Sequence, residues 1–348
     1  MEDILAQIKA LASDADDVGR KRILQSLQEL SYAIETPQDS MQRILYLYLQ
    51  LAAIRVGLDL KLFDILGESR DPVTVDELAT KTGAAPTLLG RLLRYLASIG
   101  TIKETAKDTF TASNITHALT IPGFQSGVYH NFNSIGPAIQ ALPDFLAETN
   151  YQDITDPTKT PLQKAWNTDL PLPLGADQAG EPCALQPLHD RPAHGHAGVA
   201  GRVPDRIIVQ DLAATLQHAI PYEGVETMVQ DFFQPQAVKG ARIYYMRNII
   251  HDYPDEKAAV ILRNTAAALS PDSLILIDDM VLPNSGVHLH AAQLDLLMMT
   301  TLASMERTTE QWCALIEGKA GLKINAIYTY TSSLRDSVIE CVKARVGT

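Results

Sequence analysis

No run of lysine or arginine in this sequence is long enough to form a basic stripe, and the formal net charge over its 348 residues is -12. A phosphate backbone is gripped by concentrated positive charge, so the composition excludes nucleic acid as a partner. Cysteine is scarce too: Cys183, Cys313 and Cys341 form an odd, scattered set. That excludes a disulfide framework and a C-x-x-C metal site and suits a reducing compartment. No basic-then-apolar leader follows Met1-Glu2-Asp3, and no apolar stretch is long enough to span a bilayer. No membrane association is therefore expected, and the cytosol is the expected location. What is present is ordinary globular composition, 46% hydrophobic and 20% charged, at a length that suits one large or two medium domains.

The first 120 residues read as helices. Apolar residues recur at helical spacing over 4–34, which predicts two amphipathic helices. The next stretch, 41–56, is apolar on most faces and reads as one helix packed between two partners, a second subunit among them. A short helix over 60–66, a capped start at Thr74-Val75-Asp76-Glu77-Leu78 and a leucine-lined helix over 87–99 follow. Two short strand-like pieces around a turn, 101–105 and 108–112, complete a winged-helix pattern. Such a pattern often binds DNA. Here the third helix carries only Arg91 and Arg94 among leucines, so contact between protein chains is the reading, with 1–120 as a helical winged-helix dimerisation domain.

The second half changes period. Short apolar runs at 206–212, 225–233, 242–246 and 273–277 alternate with helical stretches such as 257–269, and late strands are expected at 324–328 and 337–342. The fold class is therefore α/β, a Rossmann-like doubly wound domain over 204–348, with a helical connector over 121–170 that also shapes an acceptor pocket. Ligands in such sheets sit beyond the carboxyl ends of the strands. Asp211 there suits the two hydroxyls of a ribose, and Asp231 with Phe232 suits a purine, although an acid after a strand is also a common helix cap.

The densest local string is Tyr244-Tyr245-Met246-Arg247-Asn248-Ile249-Ile250-His251-Asp252-Tyr253-Pro254-Asp255-Glu256. It sets a histidine just past a strand end, beside acids that raise its basicity. Asp279, expected at the end of the following strand, and Glu306 supply two more carboxylates, and an imidazole steadied by two carboxylates suits proton removal from a phenol. A metal site is not expected, since close pairs such as His288 and His290 have no further ligands converging on them at fixed spacing.

The strings beginning at Arg247, at Asp279-Met-Val-Leu-Pro and at Met305-Glu-Arg-Thr, together with the winged-helix half, resemble the plant caffeate-type and fungal secondary-metabolite O-methyltransferases over nearly the whole chain. The resemblance implies S-adenosyl-L-methionine as methyl donor, a hydroxyl of a phenolic or polyketide-like small molecule as acceptor, and a homodimer. It implies His251 as general base, oriented by Asp279 and Glu306. It also implies Asp211, Asp231, Phe232 and Arg247 as donor-binding residues, with Met298, Met299 and Met305 near the acceptor. The family's glutamate at the Asp279 position is one methylene longer in its reach toward His251.

One part of the family pattern is missing. A first strand ending in a glycine-rich loop should precede the Asp211 strand, letting backbone approach the methionine end of the donor. In its place, 171–203 is rich in proline, glycine, alanine and histidine and lacks apolar periodicity. Reading its codons one base later permits W-x-x-x-K-P-E-N and then F-N-x-Y-M, close to the helix this family carries after its A-x-x-T-D-x-P element, here Ala165 to Pro171. A frameshift or mispredicted splice near 169–172, with frame regained near 203, accounts for both features. It predicts an irregular segment there and a sheet with two unpaired inner edges. The alternative function is a methyltransferase-like protein that binds a ligand or partner without methyl transfer.

Overall fold

The computed structural model describes residues 2–169, 206–331 and 335–344. These fall into two compact units, one of 28–137 and the other of 2–27, 138–169 and 206–344. The segment 171–203, and with it the reading of a shifted frame, lies outside the described residues.

In the 28–137 unit, local signals set the helices. Thr74 accepts from the Glu77 amide while the Glu77 carboxylate returns to the Thr74 N–H at 2.8 Å, and this reciprocal cap starts the helix Val75–Thr82. That helix stops at Gly83, whose φ of 72° carries no side-chain penalty. Helix Pro86–Ser98 buries Leu89, Leu93 and Leu96 against Leu62, Phe63, Leu66, Leu78, Ile102 and Phe110. The expected hairpin is present: strand β1 (Val73–Thr74) joins β2 (Ile102–Ala106) and β3 (Thr109–Ala112) in the order β1-β3-β2. The apolar stretch expected as a single helix is two, Pro37–Leu45 and Leu47–Asp59, broken where Tyr46 leaves helical geometry at φ -104°, ψ 11°. Ile44, Leu45, Leu47 and Leu49 on this stretch are exposed, an apolar surface of the kind a partner covers.

The other unit holds the α/β sheet. Strands β6 (Ile243–Arg247), β7 (Leu274–Leu282), β9 (Leu322–Thr329) and β10 (Asp336–Lys343) lie in the order β6-β7-β10-β9, and β8 (Arg307–Thr308) pairs with the end of β7. β6 and β7 are parallel, while β10 runs antiparallel to both its neighbours. Ile275, Ile277, Ile339 and Cys341 pack with Ala258, Ile261 and Leu262 of helix Asp255–Ala266 and with Trp312, Leu315 and Ile316. β7 is longer than its expected 273–277, because β10 pairs with it as far as Met280 and β8 takes over at Val281. Asp279 therefore lies inside a strand rather than at its end, which corrects the placement read from the sequence.

Strands β4 (Ile207–Asp211) and β5 (Val225–Val229) form a separate parallel pair. Among the described residues nothing pairs with the second edge of β4 or of β6. No residue of β4 or β5 is fully buried, and Ile207, Val209, Ile243 and Tyr245 are exposed. Parallel strands are ordinarily covered and apolar on both faces, so this arrangement is that of a sheet divided between β4 and β6.

Candidate active site

The chain leaves β6 through Asn248, which adopts φ 50° while its N–H bonds the Asp278 carbonyl at 3.1 Å, and then makes a single 3₁₀ turn, Ile250–Asp252, that presents His251. Arg307 locks this turn. Its side chain, fully buried, donates to the Ile250 carbonyl at 3.1 Å, the Tyr253 carbonyl at 2.8 Å and the Asp255 carboxylate at 3.0 Å. It also lies over the Trp312 ring, 5.4 Å from its centroid.

His251 Nδ1 stands 2.8 Å from Glu306 Oε1, and Nε2 stands 3.4 Å from Asp252 Oδ1. A carboxylate only accepts, so Nδ1 carries a hydrogen in either charge state, and Nε2 is the nitrogen that gains and loses the second proton. Burial opposes charge on this imidazole. The Glu306 hydrogen bond and the charges of Asp279, Glu306 and Asp252 outweigh it and push its pKa up to about 9. Asp279 is 1% exposed and neither of its oxygens has a hydrogen-bond partner, so it acts on His251 through charge alone. Burial raises the Asp279 carboxyl to about 7 against the pull of His251. Asp252 rises to about 6 for the same first cause. The second oxygen of Glu306, Oε2, is also buried without a partner.

The acids read at the strand ends sit at one edge of the β4–β5 pair. Asp211 closes β4, with its Oδ1 accepting from the Leu212 N–H at 2.7 Å and its carbonyl accepting from the Gln230 N–H at 3.0 Å. Asp231 follows β5 and caps the Phe233 N–H at 2.9 Å, while the Phe232 carbonyl accepts from Asn264 at 3.0 Å. The rings of Phe232 and Phe233 meet Tyr253 edge to face at 5.6 and 5.3 Å. Burial first, and then the charges of Asp252, Asp231 and Asp211, push the Tyr253 hydroxyl up to about 12. Tyr253 therefore joins the two groups of acids, standing next to the His251 turn and within the field of both strand-end carboxylates. Arg247 places its Nε 3.7 Å from Asp278, whose carboxylate accepts from the Tyr245 and Tyr330 hydroxyls at 2.5 and 2.7 Å.

Sequence reasoning passed over Arg307 and Asp295, whose Oδ1 accepts from the Glu306 N–H at 3.0 Å. The available signals were the arginine inside the quoted Met305-Glu306-Arg307-Thr308 string and a lone acid in the apolar run Leu294-Asp295-Leu296-Leu297. His288 and His290 serve a helix start, the His288 ring accepting from the His290 N–H at 3.3 Å. No helix among the described residues is long and apolar enough to cross a membrane.

Comparison with known proteins places this geometry. The family model of the O-methyltransferase dimerisation domain matches residues 43–120, and that of the O-methyltransferase domain matches residues 202–323. The chain is 37% identical to the demethylsterigmatocystin 6-O-methyltransferase of Aspergillus flavus, over 99% of this chain and 98% of that one. That alignment runs over 380 positions, 32 more than the 348 residues here, so at least 32 positions of the relative have no counterpart in this chain. The solved structure of LepI in complex with SAM aligns at TM-score 0.89 and 34% identity, covering 99% of this chain and 98% of that one. A structure described as a pericyclic reaction enzyme aligns at 0.86 and 32%, covering 99% of both chains. With identity above 30% across nearly its full length and both domain models matched, the chain belongs to the O-methyltransferase family.

Proposed function

We propose that the chain transfers the methyl group of S-adenosyl-L-methionine to a hydroxyl of a phenolic or polyketide-like small molecule, as a cytosolic homodimer serving secondary metabolism. The observation that carries this reading is the 2.8 Å contact between His251 and Glu306, which fixes the imidazole with Nε2 as a base. The residues present fit the donor's adenosine end: two carboxylates beside an aromatic cluster suit a ribose and a purine. The partnerless buried oxygens of Asp279 and Glu306 suit a cationic centre nearby. The segment that stands where a glycine-rich loop is expected for the methionine end, 171–203, falls outside the described residues.

When bound, S-adenosylmethionine supplies an electrophilic methyl group on a sulfonium. His251 Nε2 takes the proton of the acceptor hydroxyl, and Glu306 holds the resulting imidazolium through Nδ1. Asp279, lacking a hydrogen bond of its own, stabilises that imidazolium through its charge. Asp211 and Asp231 would hold the ribose and adenine, with Phe232 beside the base. We further read the divided sheet and the 32 or more unmatched positions as one event, the loss of a strand and glycine loop from this chain.

A second reading follows from the 32% identical pericyclic reaction enzyme: the same cleft rearranges a bound polyketide-like substrate without transferring methyl. One experiment separates the two. The purified chain is incubated with methyl-labelled S-adenosylmethionine and a panel of phenols and polyketides, and products are followed by mass. A gain of one labelled methyl supports transfer. A product isomeric with its substrate and free of label supports rearrangement, and binding of donor with neither product supports a protein that binds without reacting.

A further inference from the structure

We propose that Asp295 is a positioning residue for the reaction, holding Glu306 onto His251 by accepting the Glu306 backbone N–H. The inference deepens the assignment of His251 as base and rests on it. Asp295 sits in helix Leu289–Leu302, where its neighbours Leu294, Leu296 and Leu297 are aliphatic. An acid is poorly placed there: it is half-buried, and burial raises its pKa. Its compensation is the 3.0 Å bond to the Glu306 N–H, the one contact with Glu306 that an apolar residue cannot provide.

The chain between the two residues is shaped for that bond. The helix ends at Ala303, a non-glycine residue held at φ 55°, a conformation that costs about 1 kcal/mol. This turn reverses the chain so that the Ser304 hydroxyl donates to the His251 carbonyl at 2.5 Å and the Glu306 carboxylate meets the imidazole two residues later. Two hydrogen bonds, from Ser304 and from the His251 ring, thus join the segment after the helix to the His251 turn, and a third, from the Glu306 backbone N–H, ties that segment to the helix. Among the described residues the Asp295 bond is the hydrogen bond that ties Glu306 itself back to the helix carrying Met298 and Met299. A shift of that helix is passed to the Glu306 carboxylate, and so to the basicity of His251.

The groups facing His251 are Glu306, Asp279 and Asp252, and no other charge has to move for the test to read Asp295. The full chain is labelled with 15N-histidine, the His251 resonance is assigned from the His251→Gln variant, and its titration is followed by NMR without donor or acceptor. In Asp295→Ala the Glu306 N–H loses its acceptor, the carboxylate swings away, and the His251 midpoint falls from about 9 by at least about one pH unit toward the ordinary value of 6.5. In Asp295→Asn the side-chain oxygen still accepts, and the midpoint stays within about 0.3 pH unit of the parent. Should the alanine variant fail to fold, Asp295→Ser, too short to reach, takes its place. An unmoved midpoint in the alanine or serine variant overturns the proposal. So does an asparagine variant that falls as far, since charge and not the hydrogen bond would then be responsible. Because the titration needs no turnover, absence of methyl transfer by the parent would count against the proposed function and leave this result readable.

Discussion

Replacing Arg307 with alanine removes the clamp on the His251 turn, and its cost can be worked from the contacts. Three donations are lost, one to the buried carbonyl of Ile250, one to the part-buried carbonyl of Tyr253 and one to Asp255. A hydrogen bond involving a charged group contributes about 1.5–3 kcal/mol, and a stripped buried acceptor costs about 1–3 kcal/mol. Asp255 keeps a partner in Lys319 at 3.2 Å, so its loss is partial. The two carbonyls and the vacated space over Trp312 set the total, about 3–5 kcal/mol. The molecule carries its own reporter, because Trp166 and Trp312 are its two tryptophans and only Trp312 lies under the guanidinium. In a Trp166→Phe background, urea unfolding followed by Trp312 fluorescence should show the midpoint falling by about 1 M or more for Arg307→Ala. Arg307→Lys should fall between, since one ammonium cannot point three ways at once. A midpoint shift under about 0.3 M for alanine would refute the clamp and leave the shape of the turn to its own backbone.

Further outcomes follow from the same geometry. Glu306→Gln removes the strongest support of the His251 charge, so the acidic limb of the rate profile should move to lower pH while turnover falls about 10²–10⁴-fold; an unmoved limb would reassign the base. Asp211→Ala and Asp231→Ala should each weaken calorimetric binding of S-adenosylmethionine and its demethylated product at least tenfold, with the His251 titration unchanged; equal affinity in parent and variants would remove both acids from the donor site. Stability should fall as pH rises. His251, raised from 6.5 to about 9, contributes fully below 6.5 and loses its contribution as pH climbs through 9. Asp279 and Asp252, raised from 3.8 to about 7 and about 6, act in the same direction between pH 4 and 7. Thermal melting across pH 4 to 9 measures the trend, and His251→Gln should flatten its upper part. Finally, sequencing the transcript against its gene should reveal a reading frame encoding a strand and glycine loop ahead of Asp211; a transcript matching the present text throughout would make the loss genuine.

Much of this was legible because local chemistry dictated it. The Thr74 and Glu77 cap, the leucine face of Pro86–Ser98 and the hairpin after Gly100 depend on neighbours in sequence, and they formed as read. The acids after β4 and β5 were placed by strand periodicity, which ends each run at its polar residue. What sequence could not supply came from partners distant along the chain. β7 runs past Ile277 only because β10, some sixty residues later, pairs with it, and that pairing moved Asp279 from a strand end to its interior. Tyr46 breaks a run whose apolar residues alone would continue it. Arg307 and Asp295 meet backbone groups, the carbonyls of Ile250 and Tyr253 and the N–H of Glu306, and backbone groups have no letter in the sequence.

The separate β4–β5 ribbon sets terms for any ligand that uses it. Among the described residues this parallel pair has no third strand and no fully buried residue, its ties to the core being the Phe232 and Phe233 rings on Tyr253 and the Asn264 bond to the Phe232 carbonyl, and Asp211 and Asp231 ride on it. A nucleoside reaching from those acids to the Tyr253 ring would be fastening the ribbon to the rest of the sheet as it bound. Its apparent affinity would then be its intrinsic affinity scaled by the fraction of molecules already in register, so any segment that seats the ribbon beforehand tightens binding without touching the ligand.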